Sequence, residues 1–203
     1  MPAAKVILIG GAPFSGKSTV GRLIAAELGY GYASTDDIGQ ALRAVTTPES
    51  HPALHPMAGQ LHTEYYISRP LDALMSDARR SHEAMWPAIE AIVRAHAAWG
   101  HPAVVEGWAL WPELVAKLGL PNVSSLWLIG DDQTLEARIR ADTNFSAGGS
   151  DEEAMIRAYV ARNAAYNSAL AEAVARLGLP AIHVDAETSP QEMCEACLDI
   201  LQG

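Results

Sequence analysis

The sequence has few basic side chains and no run of lysine or arginine along its 203 residues. Its 14 lysines and arginines are outnumbered by 24 aspartates and glutamates, which gives a net charge of −10. Proteins that bind nucleic acids usually carry a basic face, because contacts to phosphate dominate their affinity. The charge balance therefore disfavours a nucleic acid substrate and favours a small-molecule partner.

Long apolar runs are also lacking. No stretch approaches the roughly 20 apolar residues that a membrane-spanning helix needs. The apolar run Val6–Ile9 is too short for the apolar part of a signal peptide. We therefore expect a cytoplasmic protein with no membrane partner, either a monomer or a homodimer.

Residues typical of metal or redox sites are sparse. The two cysteines, Cys194 and Cys197, form C-x-x-C in a predicted helix rather than after a strand. A redox or metal role would need a thioredoxin-like context or further ligands, so a core or surface pair is expected. His51 and His55 are four residues apart on a proline-rich loop without helical geometry, and no zinc site is predicted there.

The most informative stretch is Gly11–Ser18, which matches G-x-x-x-x-G-K-[ST] without a mismatch. It follows the apolar run Val6–Ile9 and precedes Thr19–Leu28, whose apolar residues have helical spacing. Strand, glycine-rich loop and helix in this order indicate a P-loop, in which backbone N–H groups surround phosphate oxygens. An ordinary glycine-rich turn is the alternative.

The P-loop predicts a nucleoside triphosphate and Mg²⁺ as cofactors. Lys17 is expected to contact the β- and γ-phosphates and to take part in catalysis, and Ser18 to bind Mg²⁺. The sequence contains no N-K-x-D motif, which GTPases use to recognise guanine. We therefore expect ATP rather than GTP. The predicted nucleotide-binding residues of this stretch are Gly11, Ala12, Pro13, Phe14, Ser15, Gly16, Lys17, Ser18 and Thr19.

Two aspartates follow the second predicted strand, Tyr30–Ser34, and precede helical spacing over Gln40–Val45. Ligands of parallel α/β sheets bind at this carboxyl edge. A hydroxyl that accepts a phosphoryl group needs a carboxylate to orient it and take its proton. We predict Asp36 as this base, and Asp36, Asp37 and Arg43 as substrate-binding residues. Helix capping by the aspartates is the alternative.

Glu106 closes a third apolar strand and is followed by Gly107. A carboxylate at this position is costly to bury unless it meets a cation or hydrogen-bond donors. It is predicted to hold Mg²⁺ together with Ser18, directly or through water, and Glu106 and Gly107 are also candidates for substrate contact. A structural cap or salt bridge is the alternative.

Arginines flank the segment Thr143–Ser150, which is predicted to be a flexible loop. Arg138 and Arg140 precede it, and Arg157 and Arg162 follow it. Two helices around such a loop predict a lid, over about residues 138–162, that closes on phosphates. Arg138 and Arg140 are predicted to bind the nucleotide, and Arg138 to act in catalysis. A solvated helix face is the alternative.

Strands and helices alternate along the chain, which predicts one three-layer α/β domain over residues 1–203 with a five-stranded parallel sheet. The acceptor-side region is expected over about residues 43–99. It includes two predicted helices, Leu61–Arg80 and Glu83–Trp99.

These segments resemble P-loop small-molecule kinases, including shikimate and gluconate kinases, zeta-toxin-like kinases and antibiotic phosphotransferases. Val104–Pro112 is similar to the Ile-Glu-Gly-Val-His-Leu-x-Pro segment of 2-phosphoglycerate kinases, but has Trp108-Ala109 where that family has Val-His. The resemblance implies a 2-3-1-4-5 sheet, ATP with Mg²⁺, a lid, and Asp36 as the acceptor-side base.

The sequence therefore predicts an ATP-dependent phosphotransferase that phosphorylates a hydroxyl of a small molecule. The alternative from another class is an ATP-binding regulatory switch without transfer. A polynucleotide or zeta-toxin-like kinase is a lesser variant, which the acidic charge disfavours.

Overall fold

The computed structural model describes residues 6–142 and 151–202. The strands are β1 (Val6–Gly11), β2 (Gly31–Ser34), β3 (Ala103–Glu106), β4 (Val123–Gly130) and β5 (Ala181–Val184). The helices are α1 (Lys17–Leu28), α2 (Thr35–Val45), α3 (His62–Ser68), α4 (Leu71–Trp99), α5 (Pro112–Ala116), α6 (Asp132–Ala141), α7 (Glu152–Leu177) and α8 (Pro190–Gln202), with a 3-10 turn at Pro52–Leu54.

All five strands form one parallel sheet in the order β2-β3-β1-β4-β5. This confirms both the parallel sheet that the alternation predicted and the strand order that the resemblance implied. Among the described helices, none is long and apolar enough to cross a membrane.

The central strand β1 is apolar at every position because helices cover both faces of the sheet. Val6 and Leu8 belong to a core that contains residues of α4 and α7. Ile7 and Ile9 belong to a second core, formed with residues of α1 and α8. Successive side chains of a strand point to opposite faces, so β1 contributes to both cores in alternation.

The cysteine pair lies in the second of these cores. Cys194 and Cys197 are free thiols, both buried on α8. Burial raises the pKa of the Cys197 thiol to about 12, which keeps it protonated. The pair therefore packs as small apolar side chains, as expected from its helical context.

The helices between β2 and β3 differ from the prediction. The predicted break near residue 81 is wrong, because α4 continues from Leu71 to Trp99. The break lies instead at Arg69, whose φ of −112° and ψ of 136° are extended. Arg69 precedes Pro70, and the proline ring keeps the residue before it out of the helical region.

The register of the sheet brings the predicted site segments to one edge. Glu106 pairs with Ile9 of β1 on one side and with Ser34 of β2 on the other. All three strands run in the same direction, so the segments that follow them leave the sheet side by side. The loop after β1, the start of α2 and the turn after β3 thereby surround one cleft.

Candidate active site

The loop between β1 and α1 has the backbone of an anion-binding loop. Gly11 and Gly16 have φ values of +151° and +92°, and Phe14 has a φ of +66°. Such angles suit glycine and are strained for phenylalanine. The buried hydroxyl of Ser15 has no hydrogen-bond partner among the described residues. A loop at a helix N-terminus with an unsatisfied buried hydroxyl fits phosphate.

Lys17 is held inside this loop. Its side chain is only 7% exposed, and Nζ donates to the Ala12 carbonyl at 2.6 Å. Burial lowers the pKa of Lys17 to about 8, although the nearby carboxylates of Glu106 and Asp36 oppose the shift. The ammonium therefore lies where a phosphate would replace the loop carbonyl as its partner.

Glu106 and Ser18 form the point at which a cation could bind. Glu106 is 1% exposed, and its Oε1 accepts from Ser18 Oγ at 3.2 Å and from Tyr32 Oη at 2.7 Å. Burial and the bond to Glu106 raise the pKa of Tyr32 to about 12, so this tyrosine stays a donor. The oxygens of Ser18 and Glu106 are the hard ligands that Mg²⁺ prefers.

No group of three or more His, Cys, Asp or Glu side chains suited to a metal occurs within residues 6–142 and 151–202. A Mg²⁺ ion at Ser18 and Glu106 would take its other ligands from water and phosphate, as Mg²⁺ commonly does at nucleotide sites.

Asp36 lies in the first turn of α2, and its carboxylate does not cap the helix. The cap is Ser34, whose Oγ accepts from the Asp36 backbone N–H at 3.2 Å. The Asp36 carboxylate instead accepts from Trp108 Nε1 at 2.9 Å. Loss of hydration in the cleft raises the pKa of Asp36, while the Trp108 bond and the charge of Lys17 oppose the rise.

Trp108 is itself fixed by neighbours on two helices. Tyr166 of α7 donates its hydroxyl to the Trp108 carbonyl. The His82 ring of α4 meets the Trp108 ring edge-on at 4.2 Å between centroids. His82 Nδ1 accepts from Trp111 Nε1 at 2.9 Å, and burial lowers the pKa of His82 to about 3. His82 is therefore neutral, with its proton on Nε2.

Two cavities adjoin the cleft. One, of about 410 Å³, lies at the P-loop and α8; its lining residues are Phe14, Gly16, Lys17, Ser18, Thr19, Val20, Arg138, Thr188, Pro190 and Met193. The other, of about 480 Å³, lies between α2, α3, α4 and α7; its lining residues are Gln40, Arg43, Leu54, His55, Pro56, Met57, Ala58, Tyr65, Tyr66, Leu74, Asp77, Ala78, Ser81, Trp108 and Arg162. We call them the P-loop cavity and the α-cavity.

The structure separates the two predicted nucleotide-binding arginines. Arg138 lines the P-loop cavity and donates to the carbonyls of Phe14, at 3.1 Å, and Asp185, at 3.4 Å. Arg140 does not line either cavity, and pairs with Glu136 at 2.7 Å and Glu153 at 3.2 Å. The predicted flexible loop Thr143–Ser150 lies outside the described residues.

The other predicted substrate contacts are also divided. Arg43 lines the α-cavity, together with His55. Asp37 is exposed in the first turn of α2 and lines neither cavity. Gly107 has a φ of +153°, and a Cβ there would lie 1.6 Å from Thr35 Oγ1. Gly107 therefore allows the turn after β3 to pass close to the start of α2.

The contacts that α7 makes with the P-loop and the α-cavity are the main feature that the sequence did not predict. The buried face of α7 includes Met155, Tyr159 and Tyr166, and Arg162 lies on the same face. Asn163, next to it, donates Nδ2 to the Pro13 carbonyl of the P-loop at 3.1 Å. Polar residues within an apolar helical stripe were the available signal, because charged side chains are seldom fully buried.

We predict that Trp108→Phe raises the pKa of Asp36 further, because a hydrogen bond to the charged carboxylate is lost while an aromatic ring is kept. The measurement is a ¹³C NMR titration of protein labelled at the aspartate carboxyls. Trp99→Phe is the matched control, since Trp99 is 71% exposed at the end of α4. An Asp36 pKa that stays unchanged or falls in the Trp108 variant would contradict the assigned bond.

No protein-family model and no curated protein matches this sequence. Solved structures do share its fold. A gluconokinase from Sinorhizobium meliloti 1021 is 20% identical, with 99% of this chain and 92% of that chain covered and a TM-score of 0.56. A sugar kinase from Janibacter sp. HTCC2649 is 18% identical, with 99% and 95% covered and a TM-score of 0.56.

A shikimate kinase from Aquifex aeolicus vf5 is 17% identical, with 98% of this chain and 96% of that chain covered and a TM-score of 0.52. These structures match the chain over nearly its whole length at low identity. The resemblance to P-loop small-molecule kinases is thereby confirmed at the level of the fold, while the similarity to 2-phosphoglycerate kinases stays a prediction.

Proposed function

We propose that this chain is an ATP-dependent kinase that phosphorylates a hydroxyl of a small molecule. The observation that carries the proposal is that Asp36 interacts with one lining residue of each cavity. Its carboxylate accepts a hydrogen bond from Trp108, which lines the α-cavity. The charge of Lys17, which lines the P-loop cavity, acts to lower the pKa of the same carboxylate. A base between a phosphate site and a second cavity is the arrangement that transfer to an acceptor needs.

On the donor side, the P-loop backbone and Lys17 bind the phosphates of ATP. Arg138 already contacts the loop from α6, and its charge offsets negative charge on the transferring group. Mg²⁺, held by Ser18 and by Glu106 directly or through water, would neutralise the phosphates and help to orient them. Arg140 could bind the phosphates only after its ion pairs with Glu136 and Glu153 break.

On the acceptor side, a hydroxyl in the α-cavity donates its hydrogen bond to Asp36. The hydroxyl oxygen bonds to the γ-phosphorus while the bond from that phosphorus to the bridging β–γ oxygen breaks. The hydroxyl proton passes to Asp36, and ADP leaves. A raised pKa makes Asp36 a stronger base than an ordinary aspartate, and Trp108 keeps one carboxylate oxygen in a fixed direction.

The α-cavity favours this reaction over a regulatory switch. It lies between the Asp36 segment and α3 and α4, where an acceptor would have to bind. A switch would instead call for a large exposed apolar face on these helices. Three of their exposed large apolar side chains, Leu61, Ile67 and Leu71, lie around α3, and the fourth, Trp99, is at the far end of α4, whose 29 residues extend over about 40 Å.

The first test is a screen of hydroxylated small molecules for ADP release, with the phosphate ester identified by mass spectrometry. With an acceptor in hand, we expect Asp36→Asn to lower kcat by about 10²–10⁴-fold, because the proton acceptor is lost. ATP affinity should stay within about twofold of the parent protein. Asp37→Asn is the neighbouring control and should change kcat little, since Trp108, which lines the α-cavity, bonds to Asp36 and not to Asp37.

Full transfer by Asp36→Asn to the same acceptor would contradict the assignment of the base. A screen without any ester product, for a protein that binds ATP, would contradict the proposed kinase and favour the switch.

We also expect ATP binding to take up a proton at alkaline pH. The pKa of Lys17 is about 8 in the free protein, so above that pH the amine is mostly neutral and must be protonated to pair with phosphate. Affinity should therefore fall as pH rises through about 8. Isothermal titration at pH 9 in two buffers of different ionisation enthalpy measures the uptake.

Lys17→Met should abolish this uptake and weaken binding, whereas Lys117→Met, at an exposed residue after α5, should preserve both. An ATP affinity independent of pH between 7 and 9.5 would contradict the role of Lys17.

A further inference from the structure

The wall of the α-cavity contains a buried cation without an anionic partner. Arg162 is 2% exposed, and its guanidinium lies over the rings of Tyr159, at 4.4 Å, and Trp108, at 4.8 Å. Its buried Nε has no hydrogen-bond partner within residues 6–142 and 151–202. It forms no ion pair with any carboxylate in the described part of the chain.

The guanidinium of Arg162 lies over the ring of Tyr66, at 5.6 Å, as well as that of Tyr159. Burial raises the pKa of both tyrosines, so these neighbours are neutral at ordinary pH. Aromatic rings stabilise a guanidinium, but less than a carboxylate does. A buried charge is costly without a counter-ion, and a ligand anion would supply one.

The carboxylate already present in the α-cavity cannot fill this role. Asp77 accepts from Arg69 at 2.7 Å, from Arg80 at 2.5 Å and from Tyr65 at 3.0 Å. Its charge is therefore compensated on the side of α3 and α4. Arg43, which lines the cavity from α2, also has no ion pair with a described carboxylate. The unmatched charge at the cavity is positive.

Most of the remaining wall is apolar. Its aliphatic members are Leu54, Pro56, Met57, Ala58, Leu74 and Ala78. The Tyr65 hydroxyl is already bonded to Asp77. The polar lining side chains besides Asp77 and the two arginines are Gln40, His55 and Ser81. A polyol with a hydroxyl on each carbon would lose more hydrogen bonds to water than these side chains replace, which costs affinity. An apolar body, by contrast, gains from burial here.

Trp108 sets the distance between the two polar ends of the acceptor. Its Nε1 bonds to Asp36, and its ring lies beneath the Arg162 guanidinium. A hydroxyl at Asp36 and an anion at Arg162 would thus lie against the same indole, which limits the body between them to about the size of a small ring. Resting on the proposed kinase function, we propose that the acceptor is a compact alcohol with an apolar, ring-sized body and one anionic group, which Arg162 binds.

The test compares binding of three kinds of compound to the parent protein by isothermal titration without ATP. The probes are 3- and 4-(hydroxymethyl)benzoate, the neutral benzyl alcohol, and the polyhydroxy acid gluconate. We expect the better benzoate to bind at least about tenfold more tightly than either other probe, as a charge-assisted hydrogen bond in a buried site implies. Equal or tighter binding of benzyl alcohol or gluconate would overturn the proposal.

The second arm assigns the anion site. Arg162→Met keeps an apolar filling but removes the charge, and should reduce the preference for benzoate over benzyl alcohol to about twofold or less. ATP affinity should be unchanged. Arg157→Met is the matched control on α7, because Arg157 is exposed and lines neither cavity. Unfolding of the Arg162 variant would leave the parent comparison decisive.

A preference retained in Arg162→Met would contradict the assignment, and so would a loss of ATP affinity equal to the loss of benzoate affinity, which would place Arg162 on the phosphates. Binding is measured without ATP, so this test does not depend on phosphoryl transfer. If the protein binds benzoate selectively but the acceptor screen yields no ester, the proposed kinase function is contradicted and the anion site is supported.

Discussion

The cleft depends on the burial of one carboxylate, that of Glu106, at the end of a strand in the middle of the sheet. This charge is tolerable because Ser18 and Tyr32 donate to it and the ammonium of Lys17 lies nearby. The register of β3 between β1 and β2 sets this position. The same register places the P-loop and Asp36 on either side of Glu106. The proposed donor and acceptor ends of the cleft are therefore both positioned by the pairing of β3 with its two neighbours.

Helix α7 connects these two ends. From one buried face it contacts the P-loop through Asn163, the backbone of the turn after β3 through Tyr166, and the α-cavity through Arg162. Trp108 lies where these contacts meet, with Asp36 at its edge and Arg162 over its ring. A movement of α7 would therefore change the P-loop, the surroundings of Asp36 and the α-cavity together.

The sequence sufficed where the signal was local. The P-loop motif and the apolar strands depend on neighbouring residues. The break between α3 and α4 was misplaced although Pro70 marked it. The bond from Trp108 to Asp36 and the contact of Arg162 with the Trp108 ring join residues that are far apart in the chain. No periodicity of the sequence predicts such contacts. Arg140 shows both cases, since its partner Glu136 is one turn earlier on α6, whereas its partner Glu153 is on α7.

The central claim is that Asp36 faces the phosphate to be transferred, with the acceptor cavity behind it. The most direct measurement is a crystal structure with a non-hydrolysable ATP analogue and Mg²⁺. The account predicts the γ-phosphate at Lys17, Mg²⁺ at Ser18 with Glu106 bound directly or through water, and the α-cavity open toward the γ-phosphorus past Asp36. A triphosphate whose γ end points away from Asp36, or a protein wall between that phosphorus and the α-cavity, would contradict it.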